Sequence, residues 1–523
     1  MNLLRSGLAA GIRNALDETV ATVLSSGRSW RLRLLPAIAL STLIPLAGCT
    51  VGPDFHKPGA PTVNGYTAKP LSTTPATKVT GGEAQQFAVG KDVSGQWWML
   101  YHSRPLNSLI EQSLKHNPDL KAAQAALSAA KESVLAQRGA YFPGVSAGIS
   151  ASREKDPAGA LAPVPSNNAY LYNLFTPQVS VSYVPDVFGL NRRTVESLKA
   201  QEQGVRFQMI AIYNTLTANV VVTAIQAAAV RKQIEATRQL LDIDKNMLGI
   251  LQYQYDKGYA SGLDLAAQKS QAAELAASLP PLLKQRAQLQ NQLAVLAGRY
   301  PGQAPADEFE LSSLQLPQQL PVSLPAKLVA QRPDVRQAQA NLHAASAQIG
   351  IAIASRLPNI ELTANAGSTA LAIDQVFKSG SGFWSLGAAI SAPIFQGGTL
   401  LHQERAAKAA YVQAAEQYRG TVLTALQNVA DTLVALEQDA SALKAAAAAA
   451  DAAQVTLDLS RQQVRDGYAA NLALLNAEQA WQQARIGLIQ AQADRFADTA
   501  ALFQALGGGW WHRPELAGNP NEK

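Results

Sequence analysis

The sequence holds a single cysteine, Cys49, in 523 residues, which excludes a disulfide framework within the chain. Its six histidines, at 56, 102, 116, 343, 402 and 512, fall at no metal-ligand spacing, so no protein-built metal site is expected. Charge is scarce: 16% of residues are charged, against a usual ~25%, and alanine and 36 glycines fill the difference. Half of the net charge of +6 belongs to residues 1–48, where Arg5, Arg13, Arg28, Arg31 and Arg33 are set against Asp17 and Glu18. That leaves no clustered basic surface for a nucleic acid. No phosphate-binding loop, nucleophile constellation or catalytic residue stands out, so the chain does not read as an enzyme. Beyond residue 48 no run of about eighteen uninterrupted apolar residues occurs, so no further spanning helix is expected. Proline is missing between Pro185 and Pro280 and again between Pro393 and Pro514, which leaves room for two very long helices.

Arg28, Arg31 and Arg33 precede an apolar run of fourteen residues, 34–47. At ~1.5 Å per residue the run is roughly 21 Å long, short of the ~30 Å hydrocarbon core, and it suits a signal-peptide core. Leu46-Ala47-Gly48-Cys49 follows and resembles the bacterial lipoprotein box. That resemblance implies that residues 1–48 are a signal peptide and that Cys49 becomes the first mature residue, carrying a covalent diacylglycerol and an N-acyl lipid, with no other cofactor. Thr50, in place of the Asp that marks inner-membrane retention, implies sorting to the outer membrane. Residues 1–27 do not fit a signal peptide and read as an extension ahead of the true start.

The chain is duplicated. "NPDLKAAQAALSAAKESVLAQRGAYFPGV" from Asn117 aligns with "RPDVRQAQANLHAASAQIGIAIASRLPNI" from Arg332 at a constant shift of 215, with Pro118/Pro333, Asp119/Asp334, Leu127/Leu342 and Pro143/Pro358 identical. "GYASGLDL" from Gly258 matches "GYAANLAL" from Gly467 at a shift of 209. Repeat 1 is therefore placed at 106–300 and repeat 2 at 324–507. Residues 49–105 form an N-terminal segment, 301–323 a linker and 508–523 a tail.

Each repeat opens with a helix of about two dozen residues, started by proline in its first turn and stopped by the next proline. The period then changes to two: Val145, Ala147, Ile149 and Ala151 alternate with Ser146, Gly148, Ser150 and Ser152, and Trp384, Leu386, Ala388 and Ile390 alternate with Ser385, Gly387, Ala389 and Ser391. Hairpins are expected over 145–184 and 360–392. Helices follow over 190–256 and 398–465, each about 67 residues and roughly 100 Å long. Gly258 and Gly467 reverse the chain into shorter return helices, the first expected to be interrupted at Pro280-Pro281.

Strands of this length and alternation can cross a bilayer. Four cannot close into a barrel, and an open edge in lipid leaves unpaired backbone groups at several kcal/mol each, so spanning strands require more than one chain. Two bland readings stay open here: a soluble sheet packed on helices, and an Ala-rich helical stalk that transports nothing.

Leu46–Cys49, Trp97-Trp98, "LNSLIEQSLKHNPDLKAAQAAL", "PDVFG" at 185–189, "RPDVRQAQANLHAASAQIGIA", "APIFQGG" from Ala392 and "LFQALGGGWW" from Leu502 spread over nearly all of the mature chain. Together they resemble the TolC-like outer-membrane factors, and more narrowly the lipidated NodT-type subunits. The resemblance implies a mainly α fold with a transmembrane β part. It implies a homotrimer with four strands from each chain in a twelve-stranded outer-membrane barrel, continued by a long periplasmic α-helical barrel with an equatorial belt near Trp97 and the C-terminus. It further implies a passive exit duct for drugs or other amphipathic compounds, seated in outer-membrane lipid and engaged by a periplasmic membrane-fusion adaptor and an inner-membrane RND-type pump. A duct for a type I protein-secretion system shares that fold and stays an alternative. The periplasmic gate would lie at the helix turns, with Asp256, Gly258, Arg465, Asp466, Gly467 and Leu472 as candidates. The neutral Ala470, Asn471 and Asn476 depart from the acidic pattern common after the second turn and shift the expectation toward apolar closure.

Overall fold

A computed structural model describes residues 50–69, 71–155, 171–303 and 309–517. The expected signal peptide and the lipid-bearing Cys49 lie outside the described residues, as do 156–170 within the first hairpin and the last six residues.

Repeat 1 runs α1 (Arg104–His116), α2 (Pro118–Arg138), strands β2 (Gly144–Lys155) and β3 (Leu171–Tyr183), α3 (Leu190–Asp256) and α4 (Gly262–Leu296). Repeat 2 runs α5 (Pro325–Gln331), α6 (Pro333–Ala354), β5 (Asn359–Ser368), β6 (Gly382–Ser391), α7 (Thr399–Arg465) and α8 (Asn471–Ala505). Two short strands, β1 (Gln86–Val89) and β4 (Gln319–Val322), and a last turn of helix, α9 (Pro514–Ala517), complete the chain. Local chemistry sets the boundaries. Asn117 caps α2, its Oδ1 accepting from the amides of Asp119 and Leu120 at 2.9 and 3.1 Å, with Pro118 in the first turn, where no amide is needed. Pro143 and Pro358 then block helix continuation and the strands begin.

One expectation fails. Pro280 and Pro281 do not interrupt the return helix: α4 is continuous over 35 residues with both prolines inside it. Each proline removes one intrahelical bond, a local cost of a few kcal/mol. Leu279 and Leu282, on either side of the pair, pack with Val230, Ile234 and Leu289, so contact with α3 holds the helix through the gap. The strands β1 and β4, which no alternation signals, pair in parallel from Gln86↔Gln319 to Val89↔Val322 and join the N-terminal segment to the stretch between the repeats.

The core sits around the middle of α3. Ile210, Val220, Val221 and Ile225 are fully buried there and belong to one cluster with Trp97, Tyr101, Phe496 and Phe503. Trp97 stacks on Phe503 at 5.2 Å, and the Tyr101 hydroxyl donates to the Phe496 carbonyl at 2.9 Å. Among the described residues α3 alone is long and apolar enough to cross a membrane by composition, but 67% of its apolar window is buried in protein. It is a core helix. The strands form a separate antiparallel sheet of order β2-β3-β5-β6.

Candidate functional site

The sheet carries one polar and one apolar face. Because paired residues in neighbouring strands share a face, the register decides whether the alternation seen in each strand adds up. It does: Val145 pairs with Val181, Val181 with Ala364, and Ala364 with Leu386. One residue along, Ser146 pairs with Ser180, Ser180 with Asn365, and Asn365 with Ser385. The apolar face is uncovered within the chain, with Ile149 80%, Trp384 76% and Leu386 75% exposed. Water-exposed apolar faces of this extent mark a surface that belongs against another apolar phase or partner. Among the described residues the outer strands β2 and β6 each leave one edge without a partner strand.

The far ends of the long helices carry the candidate gate residues, which fall into two turns. In the first, Asp256 is the last residue of α3, and Gly258 takes φ +76 so that the amide of Tyr259 reaches the Gln254 carbonyl at 2.8 Å. In the second, Arg465 ends α7, Asp466 caps it, Gly467 takes φ +79, and the Tyr468 amide reaches the Gln463 carbonyl at 2.8 Å. Leu472, in the first turn of α8, is 59% exposed. Among the described residues neither aspartate is ion-paired within the chain. Asp256 accepts instead from Gln252 at 2.9 Å, and the Lys257 ammonium sits 5.7 Å from the Tyr253 ring centre.

The two turns differ in capping. Ser261 accepts from the Asp264 amide at 3.1 Å and donates to its carboxylate at 2.7 Å, whereas Ala470, at the matching position, offers no cap. Ala470→Ser is therefore expected to stabilise the start of α8 by about 0.5–2 kcal/mol. Slower amide exchange over 471–475 would register the gain, and unchanged exchange would show that the missing cap costs nothing.

Close to the strand-to-helix turn of repeat 1 the structure clamps the residues that follow Cys49. Arg193, 3% exposed, donates to the carbonyls of Val51 and Gly52 at 3.0 and 3.2 Å, to Asp54 at 2.8 Å and to Glu196 at 2.7 Å. The Val51 amide donates to the Phe188 carbonyl at 3.2 Å, and Phe55 stacks on His343 at 4.3 Å. Apart from Glu196 nothing local in the sequence singles out Arg193, because its other partners lie some 140 positions away.

The family model described as outer membrane efflux protein matches residues 109–299 and 324–508, the two repeats. The chain is 30% identical over 495 residues to the probable efflux pump outer membrane protein TtgC of Pseudomonas putida, a match covering 94% of this chain and 98% of TtgC. Among solved structures it is similar to the outer-membrane channel OprN, with a TM-score of 0.78 and 26% identity over 88% of this chain and 100% of that one. It is also similar to the outer membrane protein VceC of Vibrio cholerae, with a TM-score of 0.73 and 26% identity over 80% of this chain and 100% of that one.

Proposed function

The chain belongs to the outer membrane efflux protein family, is an outer-membrane channel component of an efflux pump and not an enzyme, and from that premise we propose that three copies close one twelve-stranded barrel. The single observation that carries this reading is the four-stranded sheet with an exposed apolar face and an unpaired edge at each side. In lipid those edges must be paired, and β2 of one copy against β6 of the next pairs them all around the ring. The apolar face then meets lipid and the serine, threonine and asparagine face lines a wet lumen. The long helices of the three copies continue the lumen into the periplasm, where a membrane-fusion adaptor and an inner-membrane RND-type pump supply cargo and energy. The cargo we propose is drugs or other small amphipathic compounds.

Cys49, with diacylglycerol on sulfur and an acyl chain on its amine, supplies a second hold on the membrane. Two features support this: the basic, apolar and small-residue order that precedes it, and the clamping of residues 51–54 beside the strand-to-helix turn. At the other end Asp256, Gly258, Arg465, Asp466, Gly467 and Leu472 line the mouth, which closes by apolar contact of Leu472 rather than by charge. The unpaired aspartates and the exposure of Leu472 support that assignment.

Two substitutions on adjacent residues of β6 test the barrel. Leu386→Arg puts a charge on the lipid face and is expected to cost about 2–4 kcal/mol per copy near mid-bilayer, removing the heat-sensitive oligomer from outer-membrane fractions. Ser385→Arg, on the lumen face, should assemble normally and change only ion selectivity in planar bilayers. Normal insertion of Leu386→Arg would sink the reading.

A further inference from the structure

A buried polar layer lies above the turns, with Asp244 twelve residues, or roughly 18 Å, from the end of its helix and the others four to seven residues from theirs. Asp244 of α3, Gln268 of α4, Arg461 of α7 and Glu478 of α8 meet there. Asp244 is 2%, Gln268 3% and Glu478 3% exposed. The carboxyl groups of Asp244 and Glu478 abut. Among the described residues no donor gives a hydrogen bond to either oxygen of Glu478 or to Oδ1 of Asp244. Arg461 approaches Glu478 to 3.6 Å, too far for a hydrogen bond, and its other nitrogen lies 3.9 Å from Asp458. On the exposed face of α3, Asp242 and Lys245 pair loosely with each other at 3.9 Å.

The surroundings are apolar. Leu240, Leu275, Leu457, Leu474 and Trp481 form one buried cluster beside the layer. Leu240 stands one turn before Asp244, Leu457 one turn before Arg461, and Leu474 and Trp481 flank Glu478. Nor is the pair a duplicated feature, since the shift of 209 places Ala453 opposite Asp244 and Lys269 opposite Glu478. It joins the first helical hairpin to the second.

We propose that Asp244 and Glu478 together hold one exchangeable proton that latches the two hairpins, so that rising pH loosens the periplasmic end of the tube. The functional half of this statement rests on the reading that the helix turns are the duct's mouth. With one proton present, a carboxyl donates to a carboxylate and the layer carries a single charge beside Arg461. With none, two abutting carboxylates face each other in an apolar shell, and the relief open to them is for α3 and α8 to part and admit water. Burial pushes both groups up, and the neighbouring Asp244 charge pushes Glu478 further, to about 7. A carboxyl raised in the folded state favours the closed form at low pH, and that contribution is lost as pH rises through the folded value.

The test is amide exchange on the purified full-length protein, expressed as protection factors over 236–250 and 472–485. In the wild type, protection is expected to fall about tenfold from pH 6 to pH 8, the one-proton limit for a group titrating near 7. In Glu478→Gln, whose amide donates to Asp244, the fall should be absent. The double variant Asp244→Asn/Glu478→Gln should be flat as well, and it serves if the single variant folds poorly. A flat wild type, or a tenfold fall retained in both variants, would overturn the latch. Planar-bilayer recording keeps the two readings apart: a wild type that conducts at no pH fails the duct while leaving the exchange result standing.

Discussion

Replacing Arg495 by methionine is expected to destabilise the protein by about 3–5 kcal/mol. Arg495 is fully buried and donates four hydrogen bonds: to the carbonyls of Gly81, Glu83 and Leu436 at 2.8, 2.9 and 3.3 Å, and to the Thr74 hydroxyl at 2.8 Å. Three of those acceptors lie in residues 74–83, so one guanidinium pins the N-terminal segment to α8. Methionine fills the volume but takes a donor from each of the four acceptors in a buried site, leaving the Thr74 hydroxyl with only the Gln85 amide. Arg495 also offsets Asp439, whose carboxyl is pushed up to about 7 by burial and by the neighbouring Asp498 and Asp494. Above that pH Asp439 ionises, so the loss in Arg495→Met is expected to grow from pH 6 to pH 8. Denaturant unfolding at the two pH values, with proteolysis of 74–83 as a local readout, measures both effects. A loss under about 1 kcal/mol, or one that does not depend on pH, would show that the N-terminal segment is held by its apolar contacts alone.

Replacing Gly509 by alanine should cost about 2–5 kcal/mol through backbone strain and overpacking. Gly509 holds φ +71, and a Cβ there would lie 2.3 Å from the Ser94 carbonyl oxygen. Its neighbours Gly507 and Gly508 are also left-handed and confined, with an added Cβ 2.8 Å from the backbone of Gln331 and 2.7 Å from the side chain of Asn214. The triple glycine brings the chain end back against α3 and α5, where the Trp510 indole donates to the Gln331 carbonyl at 2.6 Å and its ring meets Phe207 edge-on at 5.7 Å. Gly59→Ala is the control: nothing lies within 4 Å of the added methyl and φ is ordinary, so its melting temperature should stay close to wild type. Equal melting of the two variants would mean that the C-terminal return adds nothing to stability.

Elements whose boundaries are local were legible in the residues. The long helices end at Asp256 and Arg465 because Gly258 and Gly467 take left-handed turns, and a glycine doing so repeats at the same place in each half of the sequence. Alternation from Val145 to Ser152 marked a two-faced strand before its partners were known. Pro280-Pro281 misled for the same reason that the other prolines informed: proline weakens a helix locally, but packing of Leu279 and Leu282 against α3 outweighed that cost. The strands β1 and β4 gave no signal, being four residues each in segments without a period.

The buried charges were invisible for a different reason. Asp244, Glu478 and Arg495 look like ordinary polar residues on helices rich in Gln, Asp and Lys. Only the crossing of α3, α7 and α8 decides which of them lose water. The six gate candidates were visible as turn residues, and the structure separates them into two turns without an ion pair between carboxylate and cation among the described residues.

By itself the sequence determined the duplication, the element order, the two faces of each strand and the turns at the helix ends, because these depend on neighbours within a few positions. Tertiary structure alone decided the register that merges four alternating strands into one apolar face, the continuity of α4 through two prolines, and the placement of unpaired carboxylates between hairpins. Those outcomes depend on contacts between residues tens to hundreds of positions apart, where desolvation sets which charges keep water and which must share a proton.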